Sequence, residues 1–312
     1  MAMTSDSDRV ISSASATSRL VDAAHARSSS RWRHSWRALR RHPLALVGLV
    51  MLVIIVLASL TAGLISPADP LKQSIGQRLM EPMASTDDGQ VRVLGTDQLG
   101  RDILSRILHG SRISLAVAFL SVAFAATLGL VFGLTSGYVG RWVDSIIMAL
   151  VNLQLAFPFM LLALAVVALL GASLLNLIIV FVITGWPIYA RTIRAAVLGL
   201  KEREFIEASH AMGASHLRIL FRHLLPNVIS PLTVLASFSV AQMIILEAAL
   251  GFLGLSVQPP TPTWGNMLAD GRQYIQDSWW LSAFPGIAIM ITAGAVNFIG
   301  DGLRDVFDPT SS

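Results

Sequence analysis

Six stretches of this chain are apolar enough and long enough to cross a lipid bilayer. They cover approximately residues 44–65, 113–134, 143–170, 174–190, 228–255 and 280–299. A hydrocarbon core about 30 Å thick takes roughly 20 residues of helix. Inside it every backbone N–H and C=O must be satisfied within the protein, so only helices and closed barrels span. Stretches of this length predict helices, and the chain reads as all-α and polytopic with six transmembrane helices. The third and fifth stretches exceed one crossing and predict tilt or extension into water. Pro158 and Pro187 predict kinks in the third and fourth. The first stretch is too long for a secretory h-region and no small-x-small site follows it, so it is expected to be retained.

Charge sets the expected orientation. Only 13% of residues are charged, against about 25% in soluble domains. The net charge of +4 is unevenly placed: eight arginines precede Pro43 and six basic residues lie between Arg191 and Arg222. Both clusters flank apolar stretches, which points to membrane topology and away from nucleic acid. With the N-terminus inside, inner segments hold 16 Lys and Arg and outer segments seven. The expected organisation follows. Residues 1–43 form a basic, Ser- and Ala-rich cytoplasmic tail without apolar period, expected to be largely disordered. Residues 44–65 are the first span and 66–112 an extracytoplasmic segment. Residues 113–300 are a membrane core containing an inner loop at 191–227, and 301–312 a cytoplasmic end. The outer segment carries six basic and six acidic residues, so its net charge selects no charged solute.

The inner loop carries the densest pattern. Phe205, Ala208 and Met212 share a helical face, Gly213 can end that helix with positive φ, and Ser215 can cap a second. Leu217, Leu220, Phe221, Leu224 and Leu225 form a stripe expected to face the bundle or a partner. Pro226 is expected to end the second helix, and Ser230–Pro231 to open the fifth span. The result is a helix–Gly–helix hairpin, which by periodicity alone could be a membrane-surface connector or a docking element.

Other residues bear on function. Glu247 lies within the fifth span, where an ionisable group either lines a solute path or is a carboxyl bonded to a neighbouring helix. Asn152, Gln154 and Gln242 could line the path or hydrogen-bond between helices. On the outer side, Ile103, Leu104, Ile107 and Leu108 share one face of a short interfacial helix leading into the second span, with Arg101, Asp102 and Arg106 elsewhere. Trp264, Trp279 and Trp280 suit an interfacial belt. Several chemistries are unsupported. No cysteine is present, which removes disulfides, thiolate chemistry and Cys-based zinc sites. There is no phosphate-binding loop, no H-E-x-x-H and no nucleophile elbow, so no catalytic residue is assigned. The seven histidines lack helical ligand spacing, and no metal site is assigned.

Glu207-Ala208-Ser209, three residues, Gly213, nine residues, then His223-Leu224-Leu225-Pro226 resembles the EAA loop of ABC importer permeases. That pattern runs Glu-Ala-Ala, three residues, Gly, nine residues, Ile, any residue, Leu-Pro, and Ser209 and His223 depart from it. "LGTDQLGRDILSRILHGSRISL" (94–115), "EAALGFLGLSVQPPTPTWGNML" (247–268) and "NFIGDGLRDVFDP" (297–309) resemble the dipeptide/oligopeptide permease C-type subunit. The resemblance spans roughly residues 40–309. It implies a type I ABC importer permease (MetI-like) fold in a bacterial plasma membrane. It also implies a non-catalytic subunit of a di- or oligopeptide importer. The expected partners are membrane lipid, a second homologous permease subunit, two ATP-binding subunits and an extracytoplasmic solute-binding protein, with no nucleic acid. ATP and Mg would be bound by the ATPase subunits. Glu207, Ala208, Ser209, Gly213, Leu225 and Pro226 would couple to those subunits, and Leu217, Leu220 and Phe221 would anchor the hairpin to its own bundle. Importers of nickel complexes or glutathione share the permease pattern. A different class, an ion-coupled secondary transporter, would need more midplane ionisable groups and an inverted repeat than this chain displays.

Overall fold

The computed structural model describes residues 42–86 and 89–307. The basic tail before His42 and the last five residues lie outside that range, and with them the reading of the tail as disordered. The chain begins with α1 (Pro43–Leu60) and a single helical turn, α2 (Ala62–Ile65). An irregular segment follows, holding an antiparallel pair, β1 (Ala84–Ser85) and β2 (Val91–Arg92). Then come α3 (Ile103–Val139), α4 (Arg141–Leu155), α5 (Phe159–Leu170) and α6 (Leu174–Lys201). The hairpin comprises α7 (Glu204–Ala211) and α8 (His216–Ile219). A π-helical turn at Leu220–Leu224 leads into α9 (Leu225–Phe252), and α10 (Trp264–Gly271) and α11 (Trp280–Phe307) complete the order.

Among the described residues five helical runs are long and apolar enough to cross a membrane. A sixth crossing is reached if α4 and α5, bent by 88° across a short break, together make one broken span. Pro158 therefore does more than kink the third span. It precedes α5 in an extended conformation (ψ 129°), and its missing N–H and fixed φ separate the two helices. Pro187, by contrast, sits inside an unbroken α6.

Helix α3 is the central post and packs on α1, α4, α6, α9 and α10. Its closest partner is α6. Gly129, Gly133 and Gly137, one turn apart, face Tyr189, Ile193 and Val197. A Cβ at Gly129 would stand 2.3 Å from that of Tyr189, and one at Gly133 2.7 Å from that of Ile193. Between helices already in lipid no water-driven force remains, so small residues that let backbones approach set the packing. Gly129→Leu should therefore force the two helices apart, at a cost of about 1–3 kcal/mol. Gly294→Leu, whose Cβ would meet nothing within 4 Å, should leave the thermal midpoint in detergent at the wild-type value.

At one end of the bundle the first turns of α3 are not a separate interfacial helix. Asp102 caps α3 directly, its Oδ2 accepting from the Ser105 N–H at 2.8 Å, and the helix runs unbroken to Val139. Trp264 and Trp280 are also buried rather than lying in an interfacial belt. Trp264 donates its indole N–H to the Ile107 carbonyl at 3.1 Å. Trp279 alone of the three is exposed.

Candidate functional site

The hairpin forms at the opposite end, and local sequence explains its bend. Gly213 has φ +76°. Its N–H reaches the His210 carbonyl and the Ala214 N–H reaches that of Ser209, which is the paired closure of a helix ending in a left-handed residue. The Ser215 hydroxyl then caps α8 by accepting from the Arg218 N–H. Pro226 does not end the second helix, and Ser230–Pro231 does not begin a new one. The π turn ahead of Pro226, closed by the Leu225 N–H on the Leu220 carbonyl, widens the coil where the proline ring would strike the preceding turn. The chain stays helical from His216 to Phe252.

That inserted residue also rotates the faces. The side chains holding the hairpin are Ile206, Ile219, Leu224 and Val228, packed on Leu134, Ile193 and Val197. Leu220 and Leu225 are only half-buried. The expected anchors Leu217 and Phe221 instead point outward, 69% and 62% exposed, beside Phe205 at 44% and Met212 at 81%. Glu207 and Ala208 are also exposed, and the Glu207 side chain makes no hydrogen bond or ion pair among the described residues. Ser209 explains its own departure from Ala: it is buried, and its hydroxyl is satisfied by the Phe205 carbonyl at 2.7 Å. Polar contacts brace the hairpin and the helix ends beneath it. The Tyr138 hydroxyl meets His216 Nδ1 at 2.6 Å, Lys201 Nζ donates to the Tyr138 carbonyl at 3.0 Å, and Arg194 grips Asp144 through two bonds of 2.5 and 2.6 Å. The outcome is an exposed apolar face on a rigidly held base.

Midway along the bundle, at the break between α4 and α5, lies a cleft of about 260 Å³. Gln154 and Gln242 both line it, together with Thr184, Tyr189 and Ser239. Asn152 lies outside this lining and accepts from Arg191 Nη2 at 2.8 Å. Glu247 is elsewhere and has no exposed surface. Its carboxylate accepts from the Ser114 hydroxyl on α3 and from the Ser256 hydroxyl after α9, each at 2.9 Å. It therefore ties α3, α9 and the following loop together inside the subunit. Among the described residues no group of three or more His, Asp or Glu is placed to hold a metal ion.

Residues 129–312, the hairpin and cleft included, match the family model of the binding-protein-dependent transport system inner membrane component. Residues 30–82 match that of the N-terminal TM domain of oligopeptide transport permease C. The dipeptide transport system permease protein DppC of Alkalihalophilus pseudofirmus is 43% identical over 280 residues, 90% of each chain. The chain belongs to this family of inner membrane permeases. The di/tripeptide transport system permease protein DppC of Pseudomonas aeruginosa is 43% identical over 275 residues, 88% of this permease and 90% of the relative. A solved MetNI methionine ABC transporter, inward facing, has the same fold, with a TM-score of 0.54 at 23% identity over 66% of this permease and 98% of that chain.

Sequence reasoning missed two parts of the site. Tyr189 read as one more apolar position of the fourth span. Ser239 is one of several small polar residues in the fifth. Only the packing of α6 against α9 places both beside Gln154 and Gln242. The outward turn of Leu217 and Phe221 was hidden by the π turn, for which the sole signal is Pro226 standing inside a stripe that does not stop.

Proposed function

We propose that this permease is the transmembrane subunit of an ATP-driven importer of di- and oligopeptides. A second, related permease chain supplies the other half of the path, because one subunit leaves its cleft open on one side. Two ATPase subunits bind below the pair, one of them through this hairpin, their closure shifts the pair between inward- and outward-open states, and a solute-binding protein delivers cargo from the far side. The hairpin end then faces the cytoplasm, in accord with its basic flanks. The observation that carries the reading is the face formed by Phe205, Met212, Leu217 and Phe221, which the subunit's own fold leaves uncovered although Ile206, Ile219 and Leu224 of the same hairpin are packed into the bundle. An exposed apolar patch on a braced helix pair is the form of a groove-docking element. Glu207 offers a polar contact at its edge.

The test is transport in sealed inside-out and right-side-out vesicles carrying the complete complex. Dipeptide uptake should require ATP on the hairpin side, and the purified permease should bring two ATPase subunits with it. Uptake that continued without ATP under an ion gradient would replace this reading with an ion-coupled one.

A further inference from the structure

We infer that Arg191 is the group on which a carboxylate of the cargo docks on the hairpin side of the cleft, with Asn152 holding its guanidinium in position. The inference rests on the importer reading above and deepens it. Arg191 follows Ile188 by three residues and Thr184 by seven along the unbroken α6. Thr184 and Ile188 line the cleft, and seven residues are close to two full turns, so the arginine continues the same face toward the hairpin. It is exposed there. Its Nη2 donates to the Asn152 side-chain oxygen on α4 at 2.8 Å, and it makes no ion pair among the described residues.

The next turn of α6 gives the contrast. Arg194 is gripped by Asp144 of α4 through two bonds of 2.5 and 2.6 Å, so its charge is neutralised within the chain. Arg191 meets the same helix but finds only a neutral amide. An amide oxygen orients a guanidinium without cancelling its charge, and most of its N–H donors stay free. Arg191 lies 17 residues after the first residue of α6. At the helical rise that is roughly 25 Å, inside a hydrocarbon core about 30 Å thick. A charge at that depth without a counter-charge faces a water-filled path rather than lipid, and marks what moves along it.

Chemistry and reach fix the ligand class. The guanidinium fork matches a carboxylate through two parallel N–H bonds, and every free peptide carries a carboxylate at its C-terminus. No Asp, Glu, Lys or Arg lines the cleft, so nothing there competes for the anion. Along the helix Arg191 stands about 5 Å beyond Ile188 and about 10 Å beyond Thr184. An extended dipeptide spans about 7 Å. A dipeptide lying in the cleft therefore brings a carboxylate to Arg191.

The test uses the complete complex with its binding protein in proteoliposomes, supplied with an equimolar mixture of alanylalanine, alanylglutamate and alanyllysine and read by mass spectrometry. Arg191→Gln keeps an amide donor for Asn152 and removes the charge. Asn152→Asp leaves Arg191 in place but gives it a carboxylate of its own. Each should lower uptake about tenfold, the worth of a hydrogen bond to a charged group, with complex yield and basal ATP hydrolysis unchanged. A loss shared by all three dipeptides assigns the terminal carboxylate to Arg191, and a loss confined to alanylglutamate assigns its side chain. Asn152→Asp separates this role from a strut between α4 and α6. An ion pair would strengthen a strut, so wild-type uptake by that variant overturns the inference. So does wild-type uptake by Arg191→Gln, or a fall of uptake and hydrolysis together, which marks a structural role. In each of these cases the importer reading stands. If the wild type moves none of the three dipeptides, the importer reading falls and the inference with it.

Discussion

Leu217→Asp combined with Phe221→Asp is expected to abolish capture of the ATPase subunits, by at least about a hundredfold, while the permease itself stays folded. Both side chains are largely exposed, so neither contributes much to the bundle, and a carboxylate at either position points to water. Seated in a partner groove, each would bury an apolar side chain worth about 1.5–3 kcal/mol. Central apolar anchors of an interface commonly cost 2 kcal/mol or more on truncation. Two of them, replaced by charges that the groove would have to desolvate, exceed the roughly 2.7 kcal/mol that corresponds to a hundredfold. The measurement is quantitative co-purification with the permease level held constant. Ile219→Asp, one residue from the same turn but fully buried, gives the contrast: the permease itself should be lost from the membrane. Wild-type ATPase capture by the Leu217/Phe221 variant would remove the hairpin's docking role.

The comparison of residues 217 and 219 also shows where sequence reading stops. Hydropathy located the spans because lipid leaves the backbone so few choices, and Gly213 with Ser215 located the bend because few residues accept positive φ or cap a helix. The rotational phase of the hairpin was not legible. A helix advances 100° per residue, so one extra residue in the π turn moves the apolar stripe from one side to another. An apolar face turned to a partner is also indistinguishable from one turned to a core. The prolines share this ambiguity. Pro158 breaks a span, Pro187 and Pro231 ride inside helices, and Pro226 is absorbed by a wider turn. Which outcome occurs depends on neighbours that can satisfy the freed carbonyl, and those neighbours lie on other helices. The cleft was half legible: Gln154 and Gln242 stand out as polar residues in apolar runs. Glu247 stands out equally, yet it closes onto Ser114 and Ser256, which only the tertiary fold brings within reach.

Charge in the 66–112 segment misled most. Arg101 and Arg106 read only as residues off the apolar face of a short interfacial helix, and the structure buries both. They converge on Asp97, which is 2% exposed. Arg101 Nε lies 2.6 Å from Asp97 Oδ2, and Arg106 Nη1 bonds the same oxygen. The other carboxylate oxygen accepts the backbone N–H groups of Leu99 and Arg101. Asp270 on α10 completes the cluster, reaching Arg101 at 3.3 Å and Arg106 at 3.1 Å. Asp97 thereby fastens the segment after β2 to the head of α3, and Asp270 adds α10 through the same two arginines. The Asp97 pairs are local, but no sequence pattern announces that Asp270, 164 and 169 residues away from the two arginines, joins them.

Asp97→Ala should consequently be among the most damaging single changes in this permease. It leaves two buried guanidiniums sharing one partly exposed carboxylate, and breaking such a pair costs about 3–5 kcal/mol because the surviving charges stay desolvated. The expected result is loss of most monodisperse protein in detergent and a clear fall in its thermal midpoint. Geometry alone would predict the same loss if Asp97 merely ordered the loop through its two backbone contacts, so a second variant separates the causes. Replacing Arg101 and Arg106 by Met in the Asp97→Ala background removes the stranded charges, and Asp270, 30% exposed, can then turn to water. Since an entire buried ion cluster can often be exchanged for apolar side chains without net cost, the triple variant should recover most of the lost midpoint. If it stays as unstable as Asp97→Ala, loop ordering rather than uncompensated charge is what Asp97 provides. If Asp97→Ala itself matches the wild type, the cluster does not fasten this end of the bundle at all.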